Sequence, residues 1–176
     1  VYKNAHRDLR TIFDASRAWD ARDYIVYESE RLTYRAHFRA AAALGRALAE
    51  RYGIEKGDRV AIAMRNFPEW SIAWGTGDDL AYGLRDSGSK VALVDHERLE
   101  RLQTMPTDAH AARLVAVRTP AAALGAAVAL EDLIGPPSAY DSLPDHAPPD
   151  RAIMPDDDAT ILYTSGTTGR PKGALG

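Results

Sequence analysis

Three short apolar runs separated by helical segments constrain the fold of this chain more than any other feature. They lie at 60–64, 90–95 and 113–118, and such runs are typical of strands buried on both faces of a parallel sheet. Helical segments at 78–87 and 96–103 flank the second run. Because strands alternate with helices, the sequence predicts an α/β fold with a mostly parallel sheet flanked by helices.

Between the first and the second apolar run, the alternation of strands and helices is interrupted. Helical segments at 68–74 and 78–87 follow one another with only three residues between them, where an alternating unit would place a strand. We therefore expect a segment to be missing at the junction of Trp74 and Gly75.

The N-terminal part predicts a β-hairpin followed by a long helix. Residues 24–34 form two β-rich segments about a turn at 29–30. Thr33 is expected to cap a helix that runs to about Tyr52, and Gly53 to end it in a left-handed conformation. Apolar side chains recur there at three- and four-residue steps and share one face: Phe38, Ala41, Leu44, Leu48 and Tyr52.

Composition limits the class of protein. A chain of 176 residues can form one domain with its own core, and 45% hydrophobic and 27% charged residues are ordinary for a soluble globular protein. The net charge of −3 argues against non-specific nucleic-acid binding, which needs a basic face. Because there is no cysteine, any thioester chemistry needs a diffusible thiol.

The ends of the chain bear on location and completeness. The N-terminal residues contain no apolar signal core, and the longest apolar run, 121–130, is too short to span a bilayer. A cytoplasmic location and no transmembrane segment are therefore expected. Because the chain begins with Val1 and stops at Gly176, just after a candidate ligand loop, we expect a fragment.

A glycine-rich segment at 163–173 is the candidate phosphate loop. Two segments precede it. The proline-rich stretch 134–150 is predicted to be an extended surface connection, and the apolar run 159–163 is predicted to be a buried strand that leads into the loop. Glycines allow close backbone approach to a ligand, and amides, hydroxyls and a lysine donate to polyphosphate. The segment contains Thr164, Ser165, Gly166, Thr167, Thr168, Gly169, Arg170, Lys172 and Gly173.

The spacing of the glycines excludes two common nucleotide-binding loops. The motif G-x-x-x-x-G-K-[ST] would require glycine where Pro171 or Ala174 stands, and G-x-G-x-x-G does not occur at this site. A flexible linker rich in glycine, serine and threonine would explain neither the apolar run before the segment nor the Arg-Pro-Lys-Gly after it.

The segment resembles, without a break over eleven residues, the signature loop of the acyl-adenylate-forming enzymes, which include acyl-CoA synthetases and peptide-synthetase adenylation domains. Residues 32–34, 57–62 and 66–70 resemble N-terminal landmarks of acyl-CoA synthetases, in the same order. The resemblance covers essentially the whole chain and implies an incomplete N-terminal adenylation domain over 1–176. In that family a longer helix, an apolar strand and a proline-containing loop lie where Trp74 meets Gly75 here.

The resemblance implies a two-step ligation by the parent enzyme, an AMP-forming acid–thiol ligase. A carboxylate, expected to be a fatty or other apolar acid, attacks the α-phosphate of ATP and releases pyrophosphate, and the acyl group then passes to coenzyme A. The family also implies Mg²⁺. Its adenine-binding strand, ribose-binding aspartate, most of its acyl pocket and its C-terminal catalytic lysine lie beyond this loop, so the 176-residue chain alone is expected to be inactive.

The resemblance also implies roles for the loop residues. Four hydroxyls would donate to the β- and γ-phosphates, namely Thr164, Ser165, Thr167 and Thr168, while Gly166 and Gly169 would permit close approach. Lys172 would add a point charge on the leaving pyrophosphate and is the candidate catalytic residue. No metal ligand is assigned.

Two other interpretations stay open: a non-catalytic module that binds nucleotide or phosphate, and a structural domain with a vestigial loop. Carboxylate-dependent exchange of pyrophosphate into ATP separates the enzyme from both, and phosphate-dependent thermal stabilisation separates the other two.

His37 is interpreted as a surface or packed histidine, because no acidic or nucleophilic partner lies at helical spacing. Asp95, Asp157 and Asp158 are expected to end strands or shape loops. The sequence does not indicate an oligomeric state.

Overall fold

The computed structural model describes residues 6–73, 80–106, 108–164 and 172–176. Its helices are α1 (Leu9–Ala15), α2 (Tyr34–Tyr52), α3 (Pro68–Ala73), α4 (Leu80–Asp86), α5 (His96–Gln103) and α6 (Glu131–Ile134). Its strands are β1 (Asp23–Tyr27), β2 (Glu30–Thr33), β3 (Val60–Ala63), β4 (Val91–Asp95), β5 (Arg113–Val117), β6 (Val128–Ala129), β7 (Ile161–Thr164) and β8 (Lys172–Leu175). The junction of Trp74 and Gly75 lies outside the described residues.

The central sheet confirms the predicted α/β architecture. Its four strands run in the order β3-β4-β5-β6 and all pair in parallel. Every residue of β4 is buried, as expected for a strand that is covered on both faces. The three apolar runs recognised in the sequence are β3, β4 and β5.

Helices cover both faces of this sheet. Alternate residues of a strand point to opposite faces, so Val91 and Leu93 pack in a core with α2, while Ala92 and Val94 pack in a second core with α4 and α5. No helix within the described ranges combines the length and apolar character that crossing a membrane requires.

The long helix α2 forms as predicted because its end signals are local. The hydroxyl of Thr33 accepts a hydrogen bond from the amide of Ala36 at 3.1 Å, which is the usual N-cap interaction. Gly53 ends the helix with φ 64°, a left-handed conformation that costs glycine little. Phe38 and Leu44 on the predicted apolar face are buried.

The N-terminal β-hairpin is present, but its turn lies one residue earlier than predicted. Tyr27 pairs with Glu30, so the turn residues are Glu28 and Ser29 and not Ser29 and Glu30. Glu28 adopts φ 50°, so it is a turn residue with a left-handed backbone conformation. Glu30 is thereby the first residue of β2, where its side chain reaches Arg118.

The first part of the stretch at 134–150 is helical and not extended as predicted, whereas residues 144–150 form no helix or strand. Residues Pro137–Ser142 form a 3₁₀ helix in which Tyr140 is only 2% exposed. The aromatic ring joins the core that α2 shares with the sheet, and Asp141 accepts two hydrogen bonds from Arg35, at 2.9 and 3.0 Å. These contacts hold the stretch against the long helix.

The run that leads into the glycine-rich segment is not the buried strand that was predicted. β7 pairs antiparallel with β8 in a two-stranded sheet separate from the central one, and Leu162 is 47% exposed. The apolar pattern of the run was correct for a strand, but its partner is the hairpin strand β8 and not a strand of the main sheet.

Candidate functional site

The hairpin of β7 and β8 places two of the predicted phosphate-binding residues opposite each other. Thr164 and Lys172 form its last registered pair, directly beside the glycine-rich segment. Lys172 is exposed and makes no ion pair with any residue that the structure describes. An unneutralised ammonium at this position suits a polyphosphate. The other predicted ligands lie outside the described residues: Ser165, Gly166, Thr167, Thr168 and Gly169.

Tyr163, the residue before Thr164, is hydrogen-bonded to the end of α4. The phenol of Tyr163 donates to Asp86 Oδ2 at 2.7 Å. Burial, and then this hydrogen bond, raise the pKa of Tyr163 to about 12. The phenol therefore stays protonated, and remains a donor, throughout the physiological pH range.

A groove of about 480 Å³ runs between β3 and the hairpin. Its walls are the four residues of β3, the first three residues of β7 and Leu175, with Leu80 and Leu84 from α4. β3 is the edge of the central sheet, and this groove lies along it. A parallel sheet is normally covered at such an apolar edge.

A polar cluster centred on Arg118 was not foreseen from the sequence. Arg118 follows β5 with φ 49°. Its guanidinium donates to both carboxylate oxygens of Glu30 at 2.8 and 2.7 Å, and to Glu69 Oε2 at 3.0 Å. The hydrogen bond from Arg118 lowers the pKa of Glu30. Because Glu69 is only 1% exposed, Arg118 supplies the opposite charge that this buried carboxylate needs.

His37 has a nucleophilic neighbour that helical spacing could not reveal. Its Nε2 lies 3.3 Å from the carbonyl oxygen of Ser71 and 3.4 Å from the Ser71 hydroxyl. The Tyr24 ring packs 4.5 Å from the imidazole. Burial lowers the pKa of His37, which is 7% exposed. His37 is thus a packed core histidine that joins α2 to α3.

Two of the three aspartates singled out in the sequence, Asp95 and Asp157, hold local structure. Asp95 caps α5 by accepting from the amide of Arg98 at 3.1 Å, and it also accepts from the amide of Arg65 at 2.9 Å. Asp157 pairs with Lys56 at 2.6 Å, and the pKa of Asp157 is lowered chiefly by that hydrogen bond. Asp158 lies in the wall of the groove.

Known proteins resemble this chain over most of its length. The profile of the family described as AMP-binding enzyme matches residues 13–76 and 75–175. The chain is 30% identical over 161 aligned positions to a 3-hydroxybenzoate/4-hydroxybenzoate–CoA ligase of Thauera aromatica, a match that covers 82% of this chain and 29% of the ligase. It is 32% identical to a feruloyl-CoA synthase of Amycolatopsis sp., with 82% and 28% covered.

The fold has solved counterparts. The crystal structure of an anthranilate CoA ligase in complex with anthranoyl-AMP superposes with a TM-score of 0.77 at 18% identity, covering 93% of this chain and 34% of the ligase. The chain therefore spans about a third or less of each of these three proteins. Because the family profile matches nearly all of its residues, the chain belongs to the AMP-binding enzyme family, the adenylate-forming enzymes.

Proposed function

We propose that the protein to which this chain belongs is an AMP-forming acid–thiol ligase. It would activate a carboxylic acid with ATP as an acyl-adenylate and pass the acyl group to coenzyme A. The observation that carries the proposal is the hairpin that sets Lys172 beside Thr164 at the base of the glycine-rich segment, in a chain of the AMP-binding enzyme family. The negative charge that develops on pyrophosphate as it leaves is what a cation at this position stabilises.

The proposed acid is a fatty or other apolar carboxylate. The names of the relatives support coenzyme A as the acceptor and widen the choice of acid, because they refer to hydroxybenzoates and a feruloyl group. Aromatic acids should therefore be assayed together with fatty acids.

The residues that the structure describes include no group of three or more His, Cys, Asp or Glu able to hold a metal ion. We accordingly assign no residue to Mg²⁺ and no step to it.

Exchange of labelled pyrophosphate into ATP tests the proposal. We expect the full-length protein to catalyse exchange that depends on an added carboxylate, because adenylate formation is reversible, and we expect the 176-residue chain alone to give none. Carboxylate-dependent exchange by the isolated chain would contradict its expected inactivity. No exchange by the full-length protein with any fatty or aromatic acid would favour the non-catalytic phosphate-binding module, for which ATP-dependent thermal stabilisation without turnover is the signature.

We also propose that this chain lacks a segment at the junction of Trp74 and Gly75 that its relatives carry. The two parts of the family match meet at residues 75 and 76. The alignment with the Thauera ligase has 161 positions, yet it contains only 82% of the 176 residues here, so the ligase contributes residues with no counterpart in this chain. An additional strand would fit in the groove beside β3, along the edge that pairs with no strand among the described residues.

Inserting the corresponding segment of the Thauera ligase between Trp74 and Gly75 should raise the free energy of unfolding. A strand that covers the apolar wall of β3 would bury at least one large aliphatic side chain, a gain of at least about 1.5 kcal/mol, measured by urea unfolding. The control is a glycine–serine insert of equal length, which buries no apolar surface. Equal or lower stability of the strand insert relative to that control would contradict the proposal.

A further inference from the structure

The position of the β7–β8 hairpin needs an explanation, because it is not part of the central sheet. Every residue of β8 is exposed, and an isolated two-stranded hairpin is only marginally stable in water. Hydrogen bonds from Ala159, Thr160 and Gly176 extend the hairpin at the end far from the glycine-rich segment. Pairing within the hairpin does not determine where it sits on the protein, so side-chain contacts must do so.

Tyr163 supplies such a contact from β7. Its ring lies between two glycines: an added Cβ on Gly83 of α4 would lie 3.8 Å from the ring, and one on Gly173 of β8 would lie 3.3 Å from it. Gly173 is also the registered partner of Tyr163. A Cβ at Gly173 would crowd the ring, whereas one at Gly83 would only make an ordinary contact with it. The ring reaches across to α4, where its hydroxyl donates to Asp86.

Asp86 is itself held in place at the end of α4. The guanidinium of Arg59, at the entry to β3, donates to the carbonyl of Ser87 at 2.6 Å and to that of Gly88 at 3.1 Å. These bonds fix the turn after α4 against the central sheet. Arg59 thus holds the backbone that directly follows Asp86, and Asp86 in turn accepts the hydrogen bond from Tyr163.

We propose that Asp86 is a positioning residue for the phosphate-binding site. By accepting the phenol hydrogen of Tyr163, it holds β7 on α4 and thereby holds the adjacent pair of Thr164 and Lys172, which flanks the glycine-rich segment. This inference rests on the proposed function, in which Lys172 meets the pyrophosphate. Misplacing a charged donor by about 1 Å costs a large part of its effect on rate.

Tyr82 provides a matched control on the same carboxylate. Its hydroxyl donates to the other oxygen, Asp86 Oδ1, at 3.2 Å. It belongs to α4, four residues before Asp86, so this bond lies within one helix and does not join the hairpin to it. The Tyr82→Phe variant removes one hydrogen bond to Asp86 and leaves the bond from Tyr163 in place.

Amide hydrogen exchange of the 176-residue chain tests the anchor without any ligand. In Asp86→Asn and Tyr163→Phe we expect the amides that pair β7 with β8 to exchange about tenfold faster, because each variant removes the charge-assisted hydrogen bond. In Tyr82→Phe these rates should stay as in the wild type, and in all three variants the amides of β4 and β5 should be unchanged. Wild-type exchange of the hairpin in Asp86→Asn and Tyr163→Phe would overturn the anchor.

Catalysis by the full-length protein tests the positioning role. Asp86→Asn should lower the maximal rate of carboxylate-dependent pyrophosphate exchange about tenfold at saturating ATP, with the thermal midpoint retained, whereas Tyr82→Phe should keep the rate. A wild-type rate in Asp86→Asn would overturn the positioning role, even if hairpin exchange were faster. A wild-type protein without exchange activity would instead refute the proposed function, and the hydrogen-exchange result would still decide whether Asp86 anchors the hairpin.

Discussion

Replacing Arg118 by alanine is expected to lower the free energy of unfolding by about 3–5 kcal/mol, because it leaves a buried carboxylate without its counter-charge. Glu69 is 1% exposed and receives a hydrogen bond from Arg118 at 3.0 Å. Alanine, like arginine, has a Cβ and is no better suited than arginine to the left-handed backbone of position 118, so the change does not relieve backbone strain there. Urea unfolding of the 176-residue chain measures it.

Two variants sharpen this prediction. Arg118→Ala combined with Glu69→Gln should recover part of the loss, because the second change removes the unpaired buried charge. Arg46→Ala should cost no more than about 0.5 kcal/mol, because its ion pair with Glu50 spans one turn of an exposed helix surface. A loss in Arg118→Ala as small as that in Arg46→Ala would contradict the role assigned to the cluster.

The effect of Arg118 should also depend on pH with a definite sign. Arg118 lowers the pKa of Glu30 below its ordinary value of 4.5, so its contribution through Glu30 is fully present above pH 4.5. That contribution is lost as the pH falls through the lowered value and the carboxylate becomes protonated. The difference in stability between the wild type and Arg118→Ala should therefore shrink in acid.

The sequence predicted the elements whose signals are local. Thr33 and Gly53 lie at the two ends of α2, and the apolar runs of β4 and β5 are short and sharply bounded. A cap or a buried run depends on neighbouring residues, so it can be recognised without knowing the rest of the fold. The parallel sheet then follows from the alternation of strands and helices.

The contacts that form the Arg118 cluster and that anchor the hairpin are non-local and could not be predicted in this way. Arg118 meets Glu30 across 88 positions of sequence, and Tyr163 meets Asp86 across 77. Nothing in the residues around Asp86 marks it as the acceptor of a distant phenol. The sequence also identified the run before the glycine-rich segment as a strand, but an apolar pattern does not specify which strand will pair with it.

Replacing Lys172 by alanine in the full-length protein is expected to lower the rate of carboxylate-dependent pyrophosphate exchange by about 10²- to 10³-fold. A loss of this size is typical when one preorganised donor to a developing negative charge is removed. Lys172 stands opposite Thr164 at the end of the hairpin, and its exposed side chain is not neutralised by any described carboxylate. Its charge is therefore available to a phosphate.

Stability and charge controls separate this role from a structural one. Because Lys172 is exposed, its replacement should change the free energy of unfolding by less than about 0.5 kcal/mol, so a loss of rate cannot be attributed to unfolding. Lys172→Arg should have a higher rate than Lys172→Ala, because arginine keeps the positive charge but replaces the compact ammonium with a planar guanidinium. Lys90→Ala is the control for removing a cation elsewhere, because Lys90 pairs with Asp58 at 2.7 Å.

The pattern of the three variants decides what Lys172 does. If the ammonium acts on the leaving pyrophosphate, Lys172→Ala must lose rate, Lys172→Arg must lie between it and the wild type, and Lys90→Ala must keep the rate. Equal losses in Lys172→Ala and Lys90→Ala would instead indicate a general effect of net charge on the attraction of ATP, which added salt would screen. A wild-type rate in Lys172→Ala would remove Lys172 from the site, although Asp86 could still anchor the hairpin through Tyr163.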